Sequence, residues 1–333
     1  MANSGASTQP APKQRAAIIY RADRVDLLRL HAAVNANLAE LEWAETIWLP
    51  TEAEQPGHSQ VQDALRAGAT TIVVVGGDGT IRHVLQGLFE SPVDPDTVAF
   101  GIVPVGTGNV LARNLGISLG NMQLSIRRAL LGDEWRIDLG LAHLSFEGDE
   151  ADTSQVFSVM AGVGLDAKIF ANTDKMLKSR FGWVAYIDGG IKSLPTFFER
   201  MSVSVNDGPS RTLKLHSLIV GNCGLLPGGI LLMPDASVDD GVLDVAAVGP
   251  RRFWNWVSFW SRVTWQNGVI RRIPAGRRLM DSTANVKTLE NLSGQKIVIS
   301  PERPVDMQLD GDPIGTVTGV EFRVLPGALR VRL

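Results

Sequence analysis

Along the first third of the chain, short apolar runs alternate with longer stretches whose apolar residues recur at helical spacing. Ala16–Tyr20, Thr46–Leu49, Thr71–Val75 and Val98–Val103 read as strands. Between them Val25–Leu41, Val61–Ala67 and Thr80–Phe89 read as helices, and a further helix begins near Asn109. Strand and helix in strict alternation predict a mainly parallel sheet covered on both faces, an α/β domain. Ligands of such sheets sit beyond the carboxyl ends of the strands. After Asp138 the pattern changes. Ile137–Leu144, Val156–Ala161, Met201–Val205, Leu213–Val220, Val242–Val248, Lys296–Ser300, Val305–Leu309 and Val320–Val324 read as strands. Asn206-Asp207-Gly208 is a hairpin turn signal between two of them. Helical spacing returns at Ala167–Leu177, Val184–Leu194 and Phe253–Trp265, so this half reads as an antiparallel β domain with inserted helices. No internal repeat is present.

A length of 333 residues makes two domains the default. The division expected is a disordered arm over 1–14, an α/β domain over 15–138 and a β-rich domain over 139–333. The arm, Met1–Gln14, is small, polar and proline-containing, without the apolar run of a secretory signal. No apolar stretch reaches the roughly 18 residues of a membrane span. One cysteine, Cys223, excludes an intramolecular disulfide framework and suits a reducing compartment, so a cytoplasmic location is expected. The formal net charge of −3 gives no global reason to expect a nucleic-acid partner. The histidines, His31, His58, His83, His143 and His216, show no metal-binding spacing.

Candidate chemistry begins at Gly76-Gly77-Asp78-Gly79-Thr80, which follows the apolar run Ile72–Val75 and opens a helix. Glycines there let the backbone turn sharply and let phosphate oxygens approach peptide N–H groups, and the helix amino terminus adds partial positive charge. Asp78 reads either as a helix cap or as a catalytic acid that accepts a proton or organises Mg²⁺. Pro104-Val105-Gly106-Thr107-Gly108-Asn109 repeats the arrangement at the next strand end. Two glycine turns at consecutive strand ends make one concave surface lined by N–H donors, a nucleotide phosphate site. Neither turn ends in the Gly-Lys-Ser/Thr of a Walker loop or fits the dinucleotide fingerprint.

The pair GGDGT (Gly76–Thr80) and PVGTGNVLARNLG (Pro104–Gly116) resembles the diacylglycerol kinase catalytic-domain family, which includes bacterial lipid kinases and sphingosine and ceramide kinases. Further stretches share the resemblance: Trp48 to Gly57, Val163–Ala167, Gly221-Asn222 through Pro234, Asp239–Val245 and Leu309–Asp312. It thus covers nearly the whole chain. Three positions depart from the family pattern. Arg21-Ala22 stands where Asn-Pro is frequent, Gly228-Gly229-Ile230 replaces a glycine triplet, and Asp312 replaces a glutamate one methylene longer.

The resemblance implies a NAD-kinase-like first domain, a β-sandwich-like second one, and ATP with Mg²⁺ as cofactors. Gly76, Gly77, Gly79, Thr80, Gly106, Thr107 and Asn109, with Thr51 and Gly311, would hold nucleotide. Asp78 and Asp312 would flank the transfer site, and either would serve as general base or metal ligand. Asp166 corresponds to a position near the lipid head group, and Asp240 and Asp310 to metal-binding positions. The expected activity is transfer of the ATP γ-phosphate to a hydroxyl of a membrane lipid, diacylglycerol-like or sphingoid. A NAD kinase-like enzyme acting on a soluble substrate, and a catalytically weak nucleotide- or lipid-binding regulator, are the alternatives.

A lipid substrate requires a membrane surface. Half of the tryptophans fall between Phe253 and Trp265, flanked by Arg251, Arg252, Arg271, Arg272, Arg277 and Arg278. Such a segment either packs on the β domain or meets anionic phospholipid, with Trp254 off the main apolar stripe. Transient association with the inner face of the membrane is the corresponding expectation, and a homodimer stays open.

Overall fold

The computed structural model describes residues 13–52, 56–148, 152–164, 198–215, 217–226, 230–248 and 292–333. Asp166, the predicted helices at 167–177, 184–194 and 253–265, and the Trp254 segment with its arginines lie outside the described residues.

The first half forms as its periodicity predicts. Strands β1 (Ala16–Arg21), β2 (Ile47–Thr51), β3 (Thr71–Gly76) and β4 (Ala99–Pro104) pair in parallel in the order β2-β1-β3-β4. Nearly every residue of β1, β3 and β4 is buried, because helices cover both faces. Alternate residues divide between the two sides. Ala17, Ile19, Ile72, Val74, Phe100 and Ile102 pack toward α2 (His58–Arg66) and α3 (Asp78–Phe89). Ala16, Ile18, Val73, Val75 and Val103 pack toward α1 (Leu27–Leu38) and α5 (Met122–Leu131). The helix predicted near Asn109 is short: α4 spans Val110–Asn114 and stops before Gly116, whose φ of 66° leaves the helical region. Helix α5 went unpredicted, although Asn121 caps it by accepting from Leu124 N.

The second half is a two-sheet sandwich. Strands β5 (Glu134–Ser145), β6 (Thr153–Phe157), β8 (Glu199–Val205), β9 (Arg211–Leu215), β15 (Lys296–Pro301) and β18 (Gly319–Arg332) extend the first sheet. Facing them, β7 (Met160–Val163), β10 (Ser217–Gly221), β13 (Leu243–Val248), β14 (Leu292–Gly294), β16 (Val305–Leu309) and β17 (Asp312–Val317) form an antiparallel sheet. A small hairpin joins β11 (Leu225–Leu226) to β12 (Ile230–Leu231). The layers meet through Ala142, Leu144, Ile297, Ile299, Phe322 and Val324 on one side and Ala161, Val163, Leu218, Val220, Met307 and Leu309 on the other. Asn206 and Asp207 both take positive φ, 49° and 59°, in the turn between β8 and β9, as the hairpin signal requires.

Two predicted strands are each split. Val156–Ala161 breaks at Ser158-Val159 into β6 and β7, which join different sheets, and Leu213–Val220 separates into β9 and β10. The two halves are not simply consecutive, because β18 serves both. Its beginning pairs with β15, its length pairs with β5, and its end pairs in parallel with Phe100 and Gly101 of β4.

Candidate active site

Parallel pairing of β3 with β4 aligns Gly76 with Pro104, so the two glycine turns leave the sheet side by side. Val105 N donates to Gly76 O at 3.0 Å, continuing the ladder into the turns. Beyond it the backbones pack directly on each other. A Cβ built on Gly106 would lie 2.7 Å from Gly77 Cα, and one built on Gly77 would lie 3.2 Å from Gly106 Cα. No side chain larger than hydrogen fits at Gly106 without displacing the first turn. The result is a single continuous backbone surface at the strand ends, with Gly106 and Thr107 exposed on it.

Helix α3 starts at Asp78 and has no side-chain cap, so the orphan amides of its first turn are left for another acceptor. Asp78 itself faces sideways. Its Oδ1 accepts from Val110 N at 2.7 Å and Leu111 N at 3.3 Å, satisfying the start of α4. Burial, and then the negative charge of Asp310, push the Asp78 pKa up to about 6 against the lowering pull of those amides. Asn109 sits in the left-handed region at φ 47° and clasps its own turn. Its Oδ1 accepts from Gly106 N at 3.0 Å while its Nδ2 donates to Gly106 O at 2.7 Å. Asn109 is buried, so the arrangement makes it a brace for the turn and leaves Gly106 and Thr107 as the exposed members. Thr80 packs under Gly76, whose added Cβ would meet Thr80 Cβ at 2.8 Å. Thr51, at the end of β2, is buried, and its hydroxyl finds no partner among the described residues.

The late acidic segment reaches the same place from the other half. Asp312 opens β17 and lies against Gly79: a Cβ added there would sit 3.6 Å from Asp312 Oδ2 and 3.7 Å from Oδ1. One oxygen, Oδ2, accepts from Arg82 Nε at 2.9 Å, and His83 Nε2 stands 3.8 Å away. Burial, then the charge of Arg82, lowers the His83 pKa. Arg82 and His83 are site residues that sequence reasoning missed. The available signal was helical spacing, since Arg82 lies one turn beyond Asp78 on α3.

Asp310, expected as a metal ligand, has both of its carboxylate oxygens hydrogen-bonded. Its Oδ2 accepts from Ser158 N at 2.8 Å and Ser158 Oγ at 3.0 Å, and its Oδ1 accepts from Val159 N and Met160 N, both at 2.9 Å. Both oxygens are therefore engaged twice, and a cation would have to displace backbone donors. Those donors belong to the break between β6 and β7, so Asp310 holds the point where the chain changes sheets. Burial raises its pKa, against the opposing effect of the same donors. Asp310 takes φ 48°, and Gly311 follows at φ 91° with its N–H donated to Gln308 Oε1 at 2.6 Å. Asp240 is exposed, with Oδ1 accepting from Val242 N at 3.1 Å. Asp244 beside it is buried, which, with the charges of Asp240 and Asp235, raises its pKa.

Among the described residues no group of three or more His, Cys, Asp or Glu side chains gathers around one point. A half-exposed carboxylate beside an amide-lined turn suits Mg²⁺ nonetheless, since that ion takes one or two carboxylates, phosphate oxygens and waters. Asp312 is the carboxylate so placed.

Comparison with known proteins agrees with this geometry. The family model for the diacylglycerol kinase catalytic domain matches residues 25–142, and that for the YegS C-terminal NAD kinase beta sandwich-like domain matches residues 158–333. A protein of Pseudomonas aeruginosa named "Probable lipid kinase YegS-like" is 31% identical over 281 residues, 82% of this chain and 80% of the relative. One from Pseudomonas fluorescens with the same name is 31% identical over 312 residues, covering 91% of this chain and 90% of its own. A crystal structure of a diacylglycerol kinase from Bacillus anthracis superposes with a TM-score of 0.72 at 21% identity, covering 97% of this chain and 98% of that one. The paired glycine turns, the sandwich that returns an acidic residue to them, and the likeness across most of both chains place this protein in the diacylglycerol kinase catalytic-domain family, among its YegS-like lipid kinases.

Proposed function

We propose that the protein transfers the γ-phosphate of ATP, with Mg²⁺, to a hydroxyl of a membrane lipid of diacylglycerol-like or sphingoid type. The observation that carries this reading is the contact between Gly77 and Gly106 with the Asp312 carboxylate lying against Gly79. Phosphoryl transfer asks a protein for positioning and charge stabilisation rather than covalent chemistry. The first-turn amides of α3, from Asp78 to Thr80, and the exposed Gly106 and Thr107 supply donors for a polyphosphate. Asp312 takes the proton of the incoming hydroxyl as the new oxygen–phosphorus bond forms and the bond to the β-phosphate oxygen breaks, with ADP as the leaving group. Asp78 has one oxygen committed to Val110 and Leu111 and acts by fixing the second turn. Asp312 would be the residue that holds Mg²⁺, which would supply charge neutralisation for the phosphates.

No described helix is long and apolar enough to cross a membrane. A lipid acceptor would be met at the membrane surface, with Trp254 and its flanking arginines as candidates for contact with anionic phospholipid. The test incubates the protein, Mg²⁺ and γ-labelled ATP with a total bacterial lipid extract, and separately with NAD⁺. A labelled lipid that disappears with EDTA is the expected result. Label in NAD⁺ alone would move the assignment to a soluble substrate, and label in neither would remove it.

A further inference from the structure

Arg82 is a buried cation beside the candidate site, and one of its donors reaches Asp312. Its side chain is 6% exposed. Nε donates to Asp312 Oδ2 at 2.9 Å, Nη1 to Gln155 Oε1 at 3.2 Å, and Nη2 lies 3.3 Å from His83 Nε2. Gln155 belongs to β6, and β6 is fixed to the same helix one turn later. There Gln86 Nε2 donates to Ser154 O at 3.1 Å, and Gln86 Oε1 accepts from Val156 N at 2.8 Å. Arg82 is thus clamped between two elements of fixed separation, and Asp312 hangs from it.

Asp312 otherwise stands at the start of β17, directly after Gly311 at φ 91°, on a side chain 37% exposed. A carboxylate that nothing holds samples several rotamers, and the one Arg82 holds lies against Gly79. Among the described residues none donates to its Oδ1, so Arg82 is the donor that holds the rotamer: it occupies Oδ2 and leaves Oδ1, also beside Gly79, without a donor.

Resting on the lipid-kinase reading above, we propose that Arg82 is a positioning residue for phosphoryl transfer: it holds Asp312 by one oxygen so that the other faces the reacting phosphate. Arg82 does not touch the substrate. Its planar fork reaches Asp312 and Gln155 at once, which a lysine ammonium cannot do in the same plane. A displacement of about 1 Å in a reacting group costs on the order of 100-fold in rate.

The experiment compares wild type, Arg82→Gln, Arg82→Lys, Asp312→Asn and the Arg82→Gln/Asp312→Asn double variant. Initial rates are measured with Mg-ATP and dioleoylglycerol or phosphatidylglycerol in mixed micelles, and a crystal structure of Arg82→Gln is solved in parallel. The expected result is a kcat loss on the order of 100-fold for Arg82→Gln with KM for ATP within about two-fold. Arg82→Lys falls between it and wild type, and added methylguanidinium restores part of the Arg82→Gln rate. The double variant is no slower than Asp312→Asn alone, since a positioner has nothing left to position. In the crystal, Asp312 of Arg82→Gln leaves its place against Gly79. Wild-type kcat in Arg82→Gln, multiplicative losses in the double variant, or an unmoved Asp312 in that crystal would each overturn the proposal. Should Arg82→Gln not fold, Arg82→Lys carries both the kinetic and the crystallographic comparison. If wild type labels neither lipid, the lipid-kinase reading is at fault, and the crystal still decides whether Arg82 sets the place of Asp312.

Discussion

At Asp78 a carboxylate whose pKa is pushed up to about 6 is also the acceptor for two amides at the start of α4. Those amides favour the ionised form, whereas burial favours the neutral one. The folded pKa lies above the unfolded value, so the folded state binds the proton more tightly. The stabilising contribution is complete below about pH 4 and is lost as pH rises toward 6, leaving ionised Asp78 costing about 3 kcal/mol at pH 8. Asp78→Asn, which keeps an acceptor oxygen, is expected to raise the unfolding midpoint over wild type at pH 8 and to lose that advantage at pH 4, as urea titrations would read. Activity responds in the opposite sense. Below pH 6 the protonated carboxyl accepts poorly from Val110 and Leu111, so KM for ATP rises in wild type and stays flat with pH in Asp78→Asn. Asp310 differs, because its four donors form a closed set. Asp310→Ala strands buried amides and is expected to cost on the order of 3–5 kcal/mol, equally in EDTA and in Mg²⁺. A loss confined to Mg²⁺ would restore the metal role. Asp78 was legible in the sequence because it stands inside a glycine motif, and Asp312 through the family resemblance of Leu309–Asp312. Arg82 and the job of Asp310 were not, because their partners lie 230 and about 150 residues away along the chain.

The glycine turns are the elements on which a nucleotide would rest, and their members should not respond alike to substitution. Gly106→Ala sets a methyl 2.7 Å from Gly77 Cα and 2.8 Å from Asn109 Oδ1, so both turns must separate. Gly79→Ala meets only the Asp312 carboxylate, at an ordinary 3.6 Å, and replaces glycine within a helix, which favours the fold by up to about 1 kcal/mol. Thermal melts should therefore show Gly106→Ala less stable than wild type and Gly79→Ala at least as stable. A Gly79→Ala protein that folds well and yet has a KM for ATP raised ten-fold or more would mean that phosphate lies against that backbone. An unchanged KM would place the polyphosphate elsewhere. The turns themselves could be read from the sequence, since glycine spacing after an apolar strand has few other uses. What could not be read was that Asn109 braces its own turn, or that the run from Val156 to Ala161 is cut in two. Continuous β-forming residues predict one strand. The cut at Ser158 exists because the Asp310 carboxylate captures three successive amides that a ladder would otherwise use.

Over the whole molecule, alternation of strand and helix made the first half legible and the turn signals made the second half recognisable as β. Strand β18 obeys neither division. Its 14 residues run past Asp138, pair with β5 along their length and end beside Phe100 and Gly101 of β4. The register of that ribbon shifts between Leu325 and Leu329, at Gly327 with φ 57°. There the buried Asp138 carboxylate takes Gly327 N at 2.7 Å on Oδ1 and Gly241 N at 2.6 Å on Oδ2. One side chain thus joins β5, β18 and the turn before β13. A second tie runs through Asn114, whose side chain exchanges two hydrogen bonds with the Leu225 backbone, at 2.8 and 3.1 Å, and so links the second glycine turn to β11. Nothing in local periodicity announces such contacts, which depend on residues brought together only by the finished topology. Because β4 uses β18 as its neighbour, a fragment ending at 138 leaves β4 an open edge with its apolar cover removed. That fragment is expected to aggregate, whereas the full chain unfolds in one transition seen alike by tryptophan fluorescence and far-ultraviolet dichroism. Asp138→Ala removes the acceptor of two part-buried amides, Gly241 and Gly327, and is expected to cost on the order of 1–3 kcal/mol. The midpoint should fall for both probes together. Separate transitions in the variant would mean that the two halves are held by their own cores and that the shared strand only lies between them.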